Sequence, residues 1–331
     1  MVFPDVVLFA KYNFHKSCLA PIHRELQEQG INVLYSSKRH EVYDLYNEYK
    51  KKFKVFVIAD EWFNLFRDCS KIMCTTNHSM ASKNTTFSPK HKEGDFIYAS
   101  SSWQKIEFIR RGVIPIKDII PTGYPAADIL LSSKPSYSHP RKNLLFAPTY
   151  NRYLNLVDYL IKAEKENSLF EELENYNIRF KLHPVLPKKY PYQNEFCLNL
   201  MDKYSYVNMI IDSHADITDS ILWSDIVIGD CSGAMLLALA ADRPVIAYNN
   251  PERVRSSYYD KDGPEWDFRS YFAYEFNDAS DPHGLPDAIN DINVKDYKKD
   301  TRKQIKDLLY GDFQDGKSYK RIAEHIISLL R

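Results

Sequence analysis

Short apolar runs alternate with amphipathic stretches along most of the chain. In the first half, runs at 6–10, 31–35, 55–59, 71–75 and 96–99 read as buried strands. Between them, 19–29 and 41–53 space their apolar residues by three and four, as a helix does. Val42, Leu45, Tyr46 and Tyr49 carry the second of these helices. Gly30 stands where a helix stops on a left-handed residue. Another helix is expected after Ser101 or Ser102, either of which suits an N-cap, and it ends near Gly112. Ile119-Ile120 then leads into the turn Pro121-Thr122-Gly123-Tyr124-Pro125. The stretch 131–141 is rich in Ser and Pro, lacks periodicity and reads as an interdomain linker.

The second half repeats the alternation. Strands are expected at 143–147, 178–182, 207–211, 225–228 and 245–248. A helix, interrupted, is expected over 154–176. An apolar helix over 233–241 is stopped by Asp242-Arg243-Pro244. Helices at 284–290, 299–309 and 319–330 close the chain. This alternation predicts an α/β protein with parallel sheets joined by crossovers. Ligands bind such sheets at the carboxyl ends of the strands, so functional side chains should follow directly after the apolar runs.

At 331 residues the chain exceeds one ordinary hydrophobic core, and two domains are expected. Lys+Arg and Asp+Glu both number 44, so no net positive field exists to hold the chain on nucleic acid. No apolar run approaches the roughly 20 residues that cross a bilayer. The opening residues lack a basic segment and carry Asp5, which reads as a first strand rather than a signal peptide. Five cysteines, odd in number and without a CxxC pair, fit the reduced thiols of a cytoplasmic protein. The P-loop, GxGxxG, GxSxG and HExxH patterns are absent, and no metal is expected.

The distinctive residues stand at predicted strand ends. Asp230-Cys231-Ser232-Gly233 joins the 225–228 run to the apolar helix. The positive end of that helix favours an anion, the Ser232 hydroxyl can donate to it, and Gly233 lets it approach the backbone. The competing account is that Asp230 or Ser232 simply caps the helix. Lys181-Leu182-His183-Pro184 offers a cation and an imidazole, and Pro148-Thr149-Tyr150-Asn151-Arg152 offers a hydroxyl and a guanidinium. Asp216 or Thr218 can cap a short helix whose first turn, with Asp219, also suits a phosphate or ribose. In the first half, His78 follows a strand among small polar residues, with Ser79 and Lys83 close by, as befits a general base facing an interdomain cleft; a purely structural histidine is the competing account.

Taken together and in order, these segments resemble the CDP-glycerol glycerophosphotransferases of teichoic acid and capsule synthesis. The resemblance spans about 71–249. His78 and Lys83 keep the spacing of that family's His-Gly-x-Pro-x-Lys segment, although Ser79 and Ala81 replace its Gly and Pro. Phe146-Ala147-Pro148-Thr149 matches Tyr-Ala-Pro-Thr, and Lys181, His183 and Pro184 match Lys-x-His-Pro. Asp216 and Asp219 match Asp-x-x-Asp. Asp230-Cys231-Ser232-Gly233 matches Asp-Tyr-Ser-Ser with one hydroxyl fewer.

The resemblance implies the glycosyltransferase-B architecture: two Rossmann-like domains facing a cleft, with a C-terminal helix packing back on the first. The expected bounds are 1–135 for the acceptor-side domain, 136–315 for the nucleotide-donor domain and 316–331 for the returning helix. It implies transfer of glycerol phosphate, or a related polyol phosphate, from a CDP-linked donor to a hydroxyl of a cell-envelope glycan, with release of CMP. His78 would be the base. Pro148, Thr149, Arg152, Lys181, His183, Thr218, Asp219, Asp230, Ser232 and Gly233 would hold the donor, without cofactor or metal. The acceptor is expected to be a glycan or lipid-linked glycan, with peripheral contact at the inner membrane face. Three alternatives are a glycosyltransferase using a CMP- or UDP-linked sugar, a sugar-nucleotide epimerase of the same architecture, and a non-catalytic nucleotide-binding partner.

Overall fold

The computed structural model describes residues 2–76, 80, 84–133, 140–212, 214–256, 268–277 and 284–331. These fall into two compact units, the first drawn from 1–80, 85–132 and 307–331, the second from 81–84 and 133–306. Each unit holds a six-stranded sheet among the described residues, and every strand pair given for it is parallel.

The first sheet comprises β1 (Val6–Phe9), β2 (Val33–Ser36), β3 (Phe53–Ile58), β4 (Ser70–Thr75), β5 (Phe96–Ala99) and β6 (Asp118–Pro121). Its order is β2-β1-β3-β4-β5-β6. The chain goes from β1 outward to β2, then returns past β1 and lays β3 to β6 on the other side. All four residues of β1 are buried, as a strand covered on both faces requires. Phenylalanines in ring contact fill one layer: the Phe66 ring stacks on Phe56 at 4.5 Å and meets Phe9 at a tilt at 4.6 Å. The large aromatic content thus goes substantially into core.

The second sheet comprises β7 (Asn143–Ala147), β8 (Asn177–Phe180), β9 (Val207–Met209), β10 (Ile226–Gly229), β11 (Val245–Tyr248) and β12 (Ala273–Phe276). Its order is β12-β11-β10-β7-β8-β9. Here the chain runs from β7 outward through β8 to β9, then returns to the far side of β7 for β10 to β12. The direction of progression therefore reverses between β7 and β10.

The C-terminal helix Ser318–Leu330 buries Ile322, Ala323 and Ile326 against helix Lys16–Glu28 and β3, all within the first unit. Its start is fixed by Asp128, whose two carboxylate oxygens accept from Ser318 N and Tyr319 N at 3.1 Å each. The approach is close: a Cβ on Gly316 (φ 69°) would meet Asp128 O at 2.7 Å, and one on Gly123 (φ 94°) would meet Ser318 Oγ at 2.1 Å.

Several boundaries differ from the sequence reading. The helix expected over 41–53 runs Arg39–Tyr49 and stops at Lys50, whose left-handed backbone (φ 50°) sends its N–H back to Tyr46 O. Phe53 consequently belongs to β3. The interrupted helix is Val157–Asn167 and Leu169–Glu172, broken at Ser168 (φ 51°). Elements not anticipated include helix Pro191–Lys203, strand β6 at one edge of the first sheet and strand β12 at one edge of the second.

Candidate functional site

Strand register decides which residues meet at the carboxyl edge of the second sheet. Gly229 of β10 lies opposite Ala147 of β7 and Ala247 of β11, and Phe146 lies opposite Phe180 of β8. The exits are therefore neighbours. Across the edge they carry Asn249, then Asp230 to Gly233, then Pro148 and Thr149, then Lys181 and His183. The reversal between β7 and β10 is the switch point at which parallel α/β sheets open a crevice for a ligand.

Asp230 takes a structural part in this edge. Its fully buried carboxylate accepts Thr149 N on both oxygens at 3.0 Å, and Leu156 N on Oδ2 at 3.0 Å. It thereby clamps the loop leaving β7 to the end of β10. Asn155 completes the clamp by donating to Thr149 O at 2.6 Å and to Gln193 Oε1 at 3.1 Å. The Thr149 side chain is held in place by these backbone bonds.

The Thr149 and Ser232 hydroxyls are buried and make no hydrogen bond, and neither does the buried Asn249 Oδ1. An unsatisfied buried polar group costs about 1–3 kcal/mol. Ser232 occupies the N-cap of helix Gly233–Ala240 with extended backbone (φ −136°), yet its hydroxyl does not cap the helix. The capping account thus fails for Ser232. No atom lies within 4 Å of the position a Cβ on Gly233 would take, so space is open beside the first turn. The Ser232 hydroxyl stands at the positive end of this helix and the Thr149 hydroxyl on the neighbouring strand exit, an arrangement of the kind that suits an anion.

Cationic groups flank these hydroxyls. Lys181 is buried, and its ammonium donates to Leu182 O at 3.3 Å. Burial pushes its pKa down, while Asp212 and Asp216 pull it back up. The His183 ring lies 4.6 Å from Tyr150, and its Nδ1 accepts from Val185 N at 3.2 Å. In the neutral ring this arrangement puts the proton on Nε2. Arg152 is exposed and rests over the Tyr153 ring at 5.3 Å, which Arg255 also approaches at 4.9 Å.

The short helix Thr218–Trp223 is less committed to this edge. Asp216 Oδ1 accepts from Thr218 N at 2.7 Å, which is ordinary capping. Asp219 is exposed and acts electrostatically on Arg179 of β8. The structure thus gathers Thr149, Ser232, Gly233, Lys181 and His183 on adjacent exits, with Asp230 as their clamp. Asn249 was missed, although it directly follows the 245–248 run and so met the rule that singled out the others. His78, Ser79 and Lys83 lie outside the described residues. Just before them, Thr76 N bonds Ile58 O at 2.9 Å and Thr75 Oγ1 bonds Asp60 O at 3.0 Å, tying the end of β4 to the end of β3.

Among the described residues all five cysteines are buried free thiols, and no cluster of three or more His, Cys, Asp or Glu could hold a metal ion. No helix among them is long and apolar enough to cross a membrane.

Residues 70–328 match the family described as CDP-Glycerol:Poly(glycerophosphate) glycerophosphotransferase. No curated protein sequence matches the chain. Among solved structures, a histidine-to-alanine variant of the wall teichoic acid polymerase TagF resembles it with a TM-score of 0.69 at 16% identity, over 99% of this chain and 89% of that one. A TagF variant soaked with CDPG gives 0.68 at 15%, with the same coverage. MnaA from S. aureus with UDP gives 0.64 at 13%, over 98% of this chain and 96% of that one. At these identities the likeness is one of fold, that of glycosyltransferase-B-like α/β proteins.

Proposed function

The chain belongs to the CDP-glycerol:poly(glycerophosphate) glycerophosphotransferase family, and from that premise we propose that it moves glycerol phosphate, or a related polyol phosphate, from a CDP-linked donor to a hydroxyl of a cell-envelope glycan. The observation that carries this reading is the pair of orphan hydroxyls on adjacent strand exits, Ser232 at the N-terminus of helix Gly233–Ala240 and Thr149 just past β7.

In this mechanism the acceptor oxygen attacks the phosphorus bearing the polyol. A new P–O ester bond forms, and the bond from that phosphorus to the bridging oxygen breaks. The bridging oxygen leaves with CMP and carries the developing negative charge. Thr149 Oγ1, Ser232 Oγ and the first-turn amides receive that charge, and preorganised dipoles of this kind lower the barrier without reorganising. His183 Nε2–H adds a donor, and Lys181 adds positive potential. Asp230 holds Thr149 in position and touches no ligand. His78 takes the proton of the acceptor hydroxyl as general base.

Calorimetric titration of the intact chain with CMP, CDP, UMP and UDP tests the donor assignment. Cytidine nucleotides should bind more tightly than uridine nucleotides. A uridine preference would instead favour the sugar-nucleotide reading, which the likeness to UDP-bound MnaA supports.

A further inference from the structure

We propose that the carboxyl edge of the first sheet, at the exits of β1 and β3, binds a ring sugar that carries a phosphate. The order β2-β1-β3-β4-β5-β6 puts that sheet's own switch point between β1 and β3, the place where such a sheet opens a ligand crevice. Phe9 and Ile58 are partners in register, so the exits Lys11-Tyr12 and Asp60-Glu61-Trp62 emerge side by side.

The side chains there form a shelf. The Tyr12 ring stacks on Phe14 at 5.2 Å and meets Trp62 edge-on at 5.5 Å. The Lys11 ammonium lies 3.7 Å from the Trp62 ring centroid and 5.1 Å from that of Tyr12. Lys11 is exposed, and Tyr12 is 43% exposed, so neither contributes its full surface to the core. Beneath the shelf, Asp60 Oδ2 lies 3.9 Å from buried His15 Nε2. Glu61 Oε1 pairs with Lys90 at 3.1 Å, while its buried Oε2 has no hydrogen-bond partner.

The chemistry of this shelf narrows the ligand. Aromatic faces accept the C–H face of a pyranose, carboxylate oxygens accept from its hydroxyls, and Lys11 meets a phosphate. Asp60 and Glu61 beside Lys11 and Lys90 leave the shelf with balanced charge, which suits a single phosphate better than a dense polyanion such as a nucleoside diphosphate. A compact polyol phosphate has no ring face to lay on Tyr12. A sugar phosphate satisfies all three groups. Calling this ligand the acceptor rests on the transferase reading above; its binding does not.

Tryptophan indole NMR on the intact, nucleotide-free chain tests the site, with Trp62→Phe identifying the relevant signal. The probes are glucose 1-phosphate, glucose and glycerol 3-phosphate. Glucose 1-phosphate should shift the Trp62 signal saturably, and the other two should bind about fivefold more weakly or worse. Tyr12→Ala and Lys11→Gln, both exposed positions, should each weaken glucose 1-phosphate by about fivefold to tenfold. Both should leave the melting temperature and the CMP titration unchanged. The site is refuted if glucose 1-phosphate leaves Trp62 unmoved, if glycerol 3-phosphate matches it, or if both variants bind as the parent does. A chain that binds glucose 1-phosphate but no cytidine nucleotide would sink the donor reading alone.

Discussion

Around the switch point of the second sheet the orphan polar side chains are small and neutral: Thr149 and Ser232, with Asn249 one strand further on, each buried and each with an unpartnered polar atom. At the switch point of the first sheet the side chains are large or charged and partly open to solvent: Lys11, Tyr12, Asp60, Glu61 and Trp62. Both sheets are parallel, six-stranded and reversed once in their order of progression. The scaffold therefore supplies a crevice twice, and the residues just past the strand ends decide what enters. Small hydroxyls beside a helix N-terminus suit a compact anion that loses all its water. An aromatic shelf with carboxylates suits a hydroxylated ring that keeps some.

The largest effect should come from His78→Ala, which removes the proposed base while leaving the second sheet intact. Turnover should fall by about 10²–10⁴-fold, with CDP affinity by calorimetry unchanged. Near-normal turnover would remove the first unit from the chemistry and break the division of labour.

Thr149→Val is next. It keeps the shape of the side chain and deletes only the orphan hydroxyl. Donor affinity should fall by about tenfold or more, as expected for a lost hydrogen bond to a charged group. The melting temperature should hold or rise, because an unsatisfied buried group has gone. A variant that melts earlier and binds the donor normally would make Thr149 a structural residue.

The smallest effect is one of pH, and it concerns the scaffold of the first unit. His325 on the C-terminal helix packs edge-on against Phe96 at 4.8 Å, and its Nδ1 lies 3.0 Å from the Tyr98 hydroxyl. Burial lowers its pKa below the ordinary 6.5, with Asp118 pulling weakly the other way. The unfolded chain then takes up the proton first. Stability is complete above the ordinary value and is lost as pH falls through the lowered one. Melting temperature should drop from about pH 8 to about pH 5, and His325→Phe should flatten part of that slope. An identical slope in the variant would remove His325 as its source.

Much of this was legible in the chain itself. Apolar runs marked ten of the twelve strands among the described residues, because parallel strands buried in a sheet leave little polar alternation to misread. The exits of β7, β8 and β10 were readable because Thr149, His183 and Ser232 interrupt those runs abruptly. β12 escaped because it is four residues long at a sheet edge and includes an exposed Glu275. Helix Pro191–Lys203 escaped although Phe196, Cys197, Leu200 and Met201 have helical spacing, since polar residues fill most of its first turn. The role of Asp230 was beyond reach for another reason. Its partners, Thr149 N and Leu156 N, are 81 and 74 residues away, and backbone amides leave no trace in a sequence.

The returning helix Ser318–Leu330 has a bearing on how the chain is made. Every residue of the second unit leaves the ribosome before the last segment of the first. The second sheet can close while helix Lys16–Glu28 and β3 still await their cover. Until Ile322 and Ile326 arrive, the nascent first unit exposes an apolar groove, the sort of surface that recruits chaperones and invites aggregation.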